Sequence, residues 1–122
     1  MPVVHRSDHR RTVTPNATMT THASPTQGGA GLAVWTVEMA PGAVGPLHSF
    51  DAEQVWTVLD GSAGVELADE RHELTAGDTV VMPAGALRRV HAGEGFRAVV
   101  AAPAGARATA GDADPVLPPW IA

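Results

Sequence analysis

Short runs of apolar and β-branched residues alternate with turn clusters along most of this chain. The runs span residues 32–39, 54–61, 64–67, 79–82 and 96–102, and a threonine-rich run covers residues 17–23. Clusters rich in glycine and proline, such as APGAVGP after residue 39, separate them. Closely spaced short strands with turn clusters between them predict an all-β protein, either a sandwich or a closed barrel.

The same pattern predicts one structural domain in three parts. We expect an N-terminal arm with one strand at residues 1–31, a β-barrel core at 32–103 and an irregular tail at 104–122. Within the run 54–61, the pair Asp60-Gly61 is a common turn signal and predicts a hairpin at that point. The tail ends in Trp120 and Ile121, which are too apolar to stay in solvent, so we expect them to dock on the barrel or on a second subunit.

Composition and charge limit the kinds of partner and metal site that we expect. The 13 acidic residues outnumber the 8 basic ones, and the arginines are scattered, so nucleic acid is not an expected partner. With zero cysteines, any metal would be held by nitrogen and oxygen. No apolar run reaches the length of a membrane span or a signal peptide, which predicts a cytoplasmic protein without a membrane partner. His5 and His9, in the polar arm, are expected to be solvated.

Two segments carry a family resemblance. The stretches PGAVGPLHSFDAEQVWTVLDG, at 41–61, and GDTVVMPAGALRRV, at 77–90, resemble the two sequence motifs of the cupin superfamily, in particular its small single-domain, conserved-barrel members. The matching positions are Gly42, His48, Gln54 and Gly61 in the first motif and Gly77, Pro83 and Gly85 in the second. The resemblance implies a double-stranded β-helix, or jelly-roll, barrel that binds a small molecule and forms a homodimer.

The metal-binding positions of these motifs are degenerate. Family members usually hold a metal with two histidines and a glutamate from the first motif and a histidine from the second; the matching positions here are His48, Phe50, Gln54 and Arg88. Phe50 has no lone pair and Arg88 offers only donors. A guanidinium about 5 Å from a dication would repel it by roughly 6 to 7 kcal/mol at an effective dielectric constant of about 20. No metal cofactor is therefore favoured.

An alternative keeps a metal in the barrel. A divalent iron, zinc, nickel or manganese ion would then be held by His48 and Gln54, together with a histidine recruited from elsewhere in the chain. The candidates for that third ligand are His22, His72 and His91.

Strand alternation predicts that the replaced positions still share one pocket. Gln54 and Trp56 lie on one face of their strand, and His48 and Phe50 are likewise two residues apart. Arg88 would point inward from the second motif. In this hypothesis Arg88 anchors an anionic group of the ligand, Gln54 orients it, His48 acts as acid or base, and Phe50 and Trp56 form the walls.

The residues leave the roles and the function open. Arg88 would meet either a ligand anion or a protein carboxylate such as Glu38 or Glu53. The leading hypothesis is a small-molecule-binding cupin that acts as a metal-independent isomerase, cyclase or lyase. The alternatives are a metal-dependent oxygenase or related cupin, and a sensor or accessory protein without catalytic activity.

Overall fold

Residues 3–122 are described by the structure, a computed structural model. A short 3-10 helix, Arg6–Asp8, precedes the strands, and no helix in this range has the length and apolar character needed to cross a membrane. Ten strands follow in the described part of the chain, and they confirm the predicted all-β class. Their bounds are β1 Arg10–Val13, β2 Thr18–Ala23, β3 Leu32–Met39, β4 Ser49–Phe50, β5 Gln54–Leu67, β6 Glu70–Thr75, β7 Thr79–Met82, β8 Arg88–His91, β9 Phe96–Pro103 and β10 Ala108–Thr109.

The strands form an antiparallel jelly-roll barrel. The larger sheet runs in the order β1-β2-β3-β9-β5, and β7 pairs with the first half of β5. The second half of β5 leaves this sheet and pairs with β6 and β8. The short strands β4 and β10 pair with each other beside them. The predicted barrel is therefore confirmed, and β5 is the strand that joins its two sides.

The hairpin predicted at Asp60-Gly61 is wrong. Strand β5 continues through these residues, with a register shift between Val58 and Asp60, and keeps its pairing to Arg97 and Phe96 of β9. Gly61 has a φ of 77°, and a Cβ at this position would overlap the carbonyl oxygen of Gly95. A glycine here thus marks a bend and a close backbone approach inside a strand, not a turn.

The core lies between the inner faces of the two sides of the barrel. Alternate residues of β3 and β9 point inward and are buried, as the period of two in a strand requires. They are Ala33, Trp35, Val37 and Met39 on β3, and Phe96, Ala98, Val100 and Ala102 on β9. This inner face forms one wall of the barrel interior.

The N-terminal arm has a strand that the sequence pattern did not show. Strand β1 pairs with β2, and the preceding His9 lies against His22, with 3.1 Å between the two Nδ1 atoms and ring centroids 4.5 Å apart. Nε2 of His22 is hydrogen-bonded to the Thr36 hydroxyl on β3 at 2.5 Å. The expectation that His9 is solvated is wrong, because tertiary pairing of the arm brings it onto the sheet.

The C-terminal tail returns to the barrel beside the arm. Strand β10 pairs with β4, and the Trp120 carbonyl accepts a hydrogen bond from the Thr21 hydroxyl at 2.7 Å. Ile121 is fully buried. The arm and the tail therefore meet near one end of the barrel, where both contribute to the opening of its interior.

Candidate functional site

A cavity of about 480 Å³ opens into the barrel between its two sides. Its wall combines the inner faces of β3 and β5, the segment leading into β4, the turn before β2 and the C-terminal tail. The apolar side chains of this wall include Met19, Trp35, Val37, Met39, Phe50, Trp56, Val90, Val116 and Trp120. Among the buried residues of the wall, Gln54 is the polar one.

Backbone pairing places the motif positions next to each other. His48 and Arg88 form an antiparallel bridge, in which the His48 amide donates to the Arg88 carbonyl at 3.0 Å and the Arg88 amide to the His48 carbonyl at 2.8 Å. Phe50 follows two residues after His48 on the same face, and the two rings meet edge-on with centroids 5.4 Å apart. The alternation predicted for β8 is present: Arg88 and Val90 are buried.

His48, a residue of the cavity wall, has one ring nitrogen that is unprotonated at neutral pH. Its Nδ1 lies 2.8 Å from the Pro46 carbonyl, and because a carbonyl can only accept, Nδ1 carries the proton and donates it. Burial lowers the pKa of His48 below its ordinary value of 6.5, the Pro46 hydrogen bond raises it by less, and the nearby Arg88 charge lowers it further. At neutral pH the Nε2 lone pair is therefore free to accept a proton.

Gln54 is the most buried polar side chain of the wall. It is 1% exposed, and its Oε1 accepts a hydrogen bond from the Trp56 indole nitrogen at 3.0 Å. The two residues are neighbours on the inner face of β5. The amide nitrogen of Gln54 is buried and has no hydrogen-bond partner among residues 3–122.

Arg88 is not part of the cavity wall. Its side chain is fully buried, but Nη2 donates to the carbonyls of Pro83 and Ala86, both at 3.0 Å, and Nε donates to the Ala86 carbonyl at 3.1 Å. Its guanidinium carbon lies 5.6 Å from the ring centroid of Phe50, and Phe50 does line the cavity. Burial lowers the pKa of the guanidinium. Nη1 is buried and has no hydrogen-bond partner in the described range 3–122.

Backbone carbonyls take the place of the carboxylate partners that the sequence suggested for Arg88. Neither Glu38 nor Glu53 forms an ion pair with it, and within residues 3–122 no other carboxylate does so. Its complete burial also excludes extension into solvent. Carbonyl dipoles of the loop before β8 and the face of an aromatic ring take the place of a counter-ion.

The residues at the family's metal positions do not fit a metal ion. Gln54 directs its carbonyl oxygen at the Trp56 indole, Phe50 has no donor atom, and the guanidinium of Arg88 lies next to the site. Among these four residues, His48 alone offers a nitrogen lone pair, and Gln54 offers the one oxygen lone pair that Trp56 leaves. Within residues 3–122, no three His, Asp or Glu side chains come together in a metal-binding group, and His22, His72 and His91 contact His9, Glu70 and Glu66 respectively.

Several residues of the site were missed by the sequence analysis. The turn at Thr14–Ala17 and the tail residues from Ala108 to Trp120 line the cavity, although both lie outside the two motifs. Trp35 also lines it, and the inner-face alternation of β3 was the signal for that residue. For the turn and the tail, the only local signal was the apolar end of the chain at Trp120.

Comparisons with known proteins agree with this architecture. The model of the family described as "Cupin domain" matches residues 35–101. The polyketide cyclase RemF from Streptomyces resistomycificus superposes with a TM-score of 0.73 at 26% identity, over 84% of this chain and 79% of that chain. The sequence matches no curated protein.

Oxalate decarboxylase from Bacillus subtilis has a similar fold. It superposes with a TM-score of 0.72 at 21% identity, over 80% of this chain. The present chain spans 28% of the length of that protein, which contains Mn(II) centres. At this identity the likeness is one of fold alone.

Proposed function

Because this chain belongs to the cupin family, we propose that its barrel binds a largely apolar small molecule and acts on it as an isomerase, cyclase or lyase without a bound metal. The observation that carries the proposal is the cavity, whose buried wall is apolar except for Gln54 and whose side holds the half-buried His48. A concave apolar site with a few placed polar groups is the usual form of a small-molecule site.

The wall favours a ligand with aromatic or polycyclic surface. Three tryptophans and Phe50 face a cavity of about 480 Å³, which is within the size range of small-molecule sites. Aromatic walls stack on planar ligands, and burial of apolar surface supplies the driving force. The similarity to a polyketide cyclase supports the same ligand class, since that protein, by its name, acts on polyketides.

His48 is the residue proposed to move a proton. Its unprotonated Nε2 can take a proton from a carbon next to a ligand carbonyl and return it to the resulting enolate at another position. In an isomerisation the proton returns at another position; in a cyclisation the enolate carbon attacks a second carbonyl, whose oxygen takes the proton; in an elimination the enolate expels a leaving group, which takes the proton. The Pro46 carbonyl would hold the ring in the required tautomer during both steps.

The experiment is hydrogen–deuterium exchange into 1-tetralone, an uncharged bicyclic ketone, in deuterated buffer. The protein is expected to accelerate exchange at the carbon next to the carbonyl, and His48→Gln to reduce the acceleration about 100-fold or more. His72→Gln is the matched control, because His72 is exposed and lies outside the cavity wall. Because the pKa of His48 is lowered, the acceleration should hold at neutral pH and fall as acid protonates Nε2.

The outcomes separate the hypotheses. Equal acceleration by wild type and His48→Gln would contradict the proposed base. Binding of the ketone without any acceleration would indicate a sensor or accessory protein. Loss of acceleration after treatment with a chelator, and its return with iron, zinc, nickel or manganese, would favour the metal-dependent alternative at His48 and Gln54.

The anion anchor predicted for Arg88 stays a prediction. It would need the Phe50 ring to move aside, because that ring lines the cavity and Arg88 does not. The unpartnered Nη1 is the atom available for such a contact. An anchoring role predicts that Arg88→Met weakens binding of 1-naphthoate but not of naphthalene, as measured by calorimetry.

A further inference from the structure

Trp56 determines which way round the side-chain amide of Gln54 is oriented. An indole N–H can only donate, so the atom of Gln54 that lies 3.0 Å from the Trp56 nitrogen is its oxygen. The other end of the amide is then necessarily the NH2 group. Both side chains leave the same face of β5, and this keeps their relative position fixed.

The NH2 group is left as a donor without an acceptor. It belongs to a side chain that is 1% exposed and that lines the cavity, and it has no partner among residues 3–122. A buried donor without an acceptor is unfavourable, so such groups are nearly always paired in proteins with protein, water or ligand. The site therefore provides a hydrogen-bond donor among wall residues that, where buried, are otherwise apolar.

Resting on the proposed function, we infer that the ligand presents a neutral carbonyl oxygen, as in an aromatic ketone or quinone, to the side-chain NH2 of Gln54, and that Trp56 fixes this preference. A carboxylate is disfavoured because the guanidinium of Arg88 lies outside the wall, leaving the anion without a charge partner. Trp56 is a positioning residue in this scheme. It acts by holding the amide oxygen away from the ligand.

Two probes of one shape test the inference. 9-Fluorenone and fluorene differ only in a carbonyl against a methylene group, and both are titrated into the whole protein by calorimetry. Wild type is expected to bind fluorenone about tenfold more tightly, the effect of one hydrogen bond to a buried donor. Gln54→Met should abolish this ratio and keep the affinity for fluorene. Gln27→Met, the same change at a half-buried glutamine outside the cavity wall, should leave the ratio unchanged.

Trp56→Phe tests the positioning role. Without the indole N–H the amide can rotate and present its oxygen to the cavity, so the ratio of fluorenone to fluorene affinity should fall even if both affinities drop through lost packing. The infrared carbonyl stretch of fluorenone bound to wild type gives a readout that needs no variant. It should shift to lower frequency than in an apolar solvent.

Each result decides between the two proposals. If fluorene binds wild type as tightly as fluorenone, or if the carbonyl stretch does not shift, the inference about Gln54 is wrong while an apolar binding site stands. If neither probe binds, the proposed ligand class itself fails. If Trp56→Phe keeps the full ratio, the amide is oriented by something other than the indole.

Discussion

Arg88 shows how a single buried residue can define a site without lining it. Its N–H groups donate to two carbonyls of the loop before β8, and its guanidinium carbon lies 5.6 Å from the ring centroid of Phe50, which itself lines the cavity. The amide of Gly85 in the same loop donates to the Phe50 carbonyl at 2.8 Å. Arg88 thereby connects the loop to the ring, so its main effect in this structure is to hold part of the wall in place.

Substitutions of Arg88 should therefore destabilise the fold, and lysine should destabilise it more than methionine. Arg88→Met removes the side-chain hydrogen bonds to the carbonyls of Pro83 and Ala86 and is expected to lower the free energy of unfolding by about 2 kcal/mol. Arg88→Lys should lower it more, because a cation stays buried without the planar fork that reaches both carbonyls. Urea denaturation measures both, with the exposed Arg11→Met as control. A lysine variant as stable as wild type would show that the fork is unimportant.

At the scale of elements, the arm is held to the barrel partly by histidines. The His9–His22–Thr36 contacts link the start of β1 to β2 and β3, and they supplement a strand pairing of only four residues. Burial lowers the pKa of His22, and the neighbouring His9 lowers it further. The folded arm consequently favours unprotonated His22, whereas the detached arm titrates near the ordinary value of 6.5.

Attachment of the arm should weaken in acid. As the pH falls below about 6.5, the detached chain takes up a proton that the folded state resists, so the equilibrium moves toward detachment. Amide exchange of residues 10–13, corrected for its intrinsic pH dependence, should be faster relative to the rest of the barrel at pH 5.5 than at pH 7.5. His22→Gln should remove most of this difference, and His5→Gln, at an exposed site, should retain it. Identical pH dependence in both variants would exclude His22 as the cause.

For the whole molecule, the outer face of the larger sheet is apolar along one row of residues. One row of paired residues crosses four strands of this face, consisting of Val34, Ala101, Val55 and Val81. Val81 is 50% exposed. Because an apolar sheet face can pair with its own copy about a two-fold axis, the homodimer expected from the family resemblance stays a prediction with this face as its interface.

A charge on the edge strand β7 of that face tests the dimer. Val81→Asp should raise the dissociation constant of the dimer about 100-fold, because the two-fold axis places the charge in the interface twice. Sedimentation velocity over a range of concentrations measures the change. Leu87→Asp introduces the same charge at a similarly exposed position outside this sheet and should leave association unchanged. A wild-type monomer at all concentrations would refute the prediction.

The sequence by itself determined the fold class and the inner face of the strands around the motifs. Strand alternation and glycine or proline turns are local properties, so they could be recognised without a partner strand. For that reason His48, Phe50, Gln54 and Trp56 were assigned to one site, and the structure places all four in one cavity wall. The resemblance of the two motifs to those of cupins implied the jelly-roll barrel, which the strand pattern alone left open against a sandwich.

Only the tertiary structure decided what surrounds those residues. Strand β5 passes through Asp60-Gly61 because β9 pairs with it across the bend, and that partner lies far away in the sequence. Arg88 meets loop carbonyls, and Gln54 meets Trp56, through contacts whose geometry depends on packing. The arm and the tail line the cavity because they meet at one end of the barrel. Contacts that depend on packing in this way leave no periodic signal in the chain, and they decide which polar atoms the site presents.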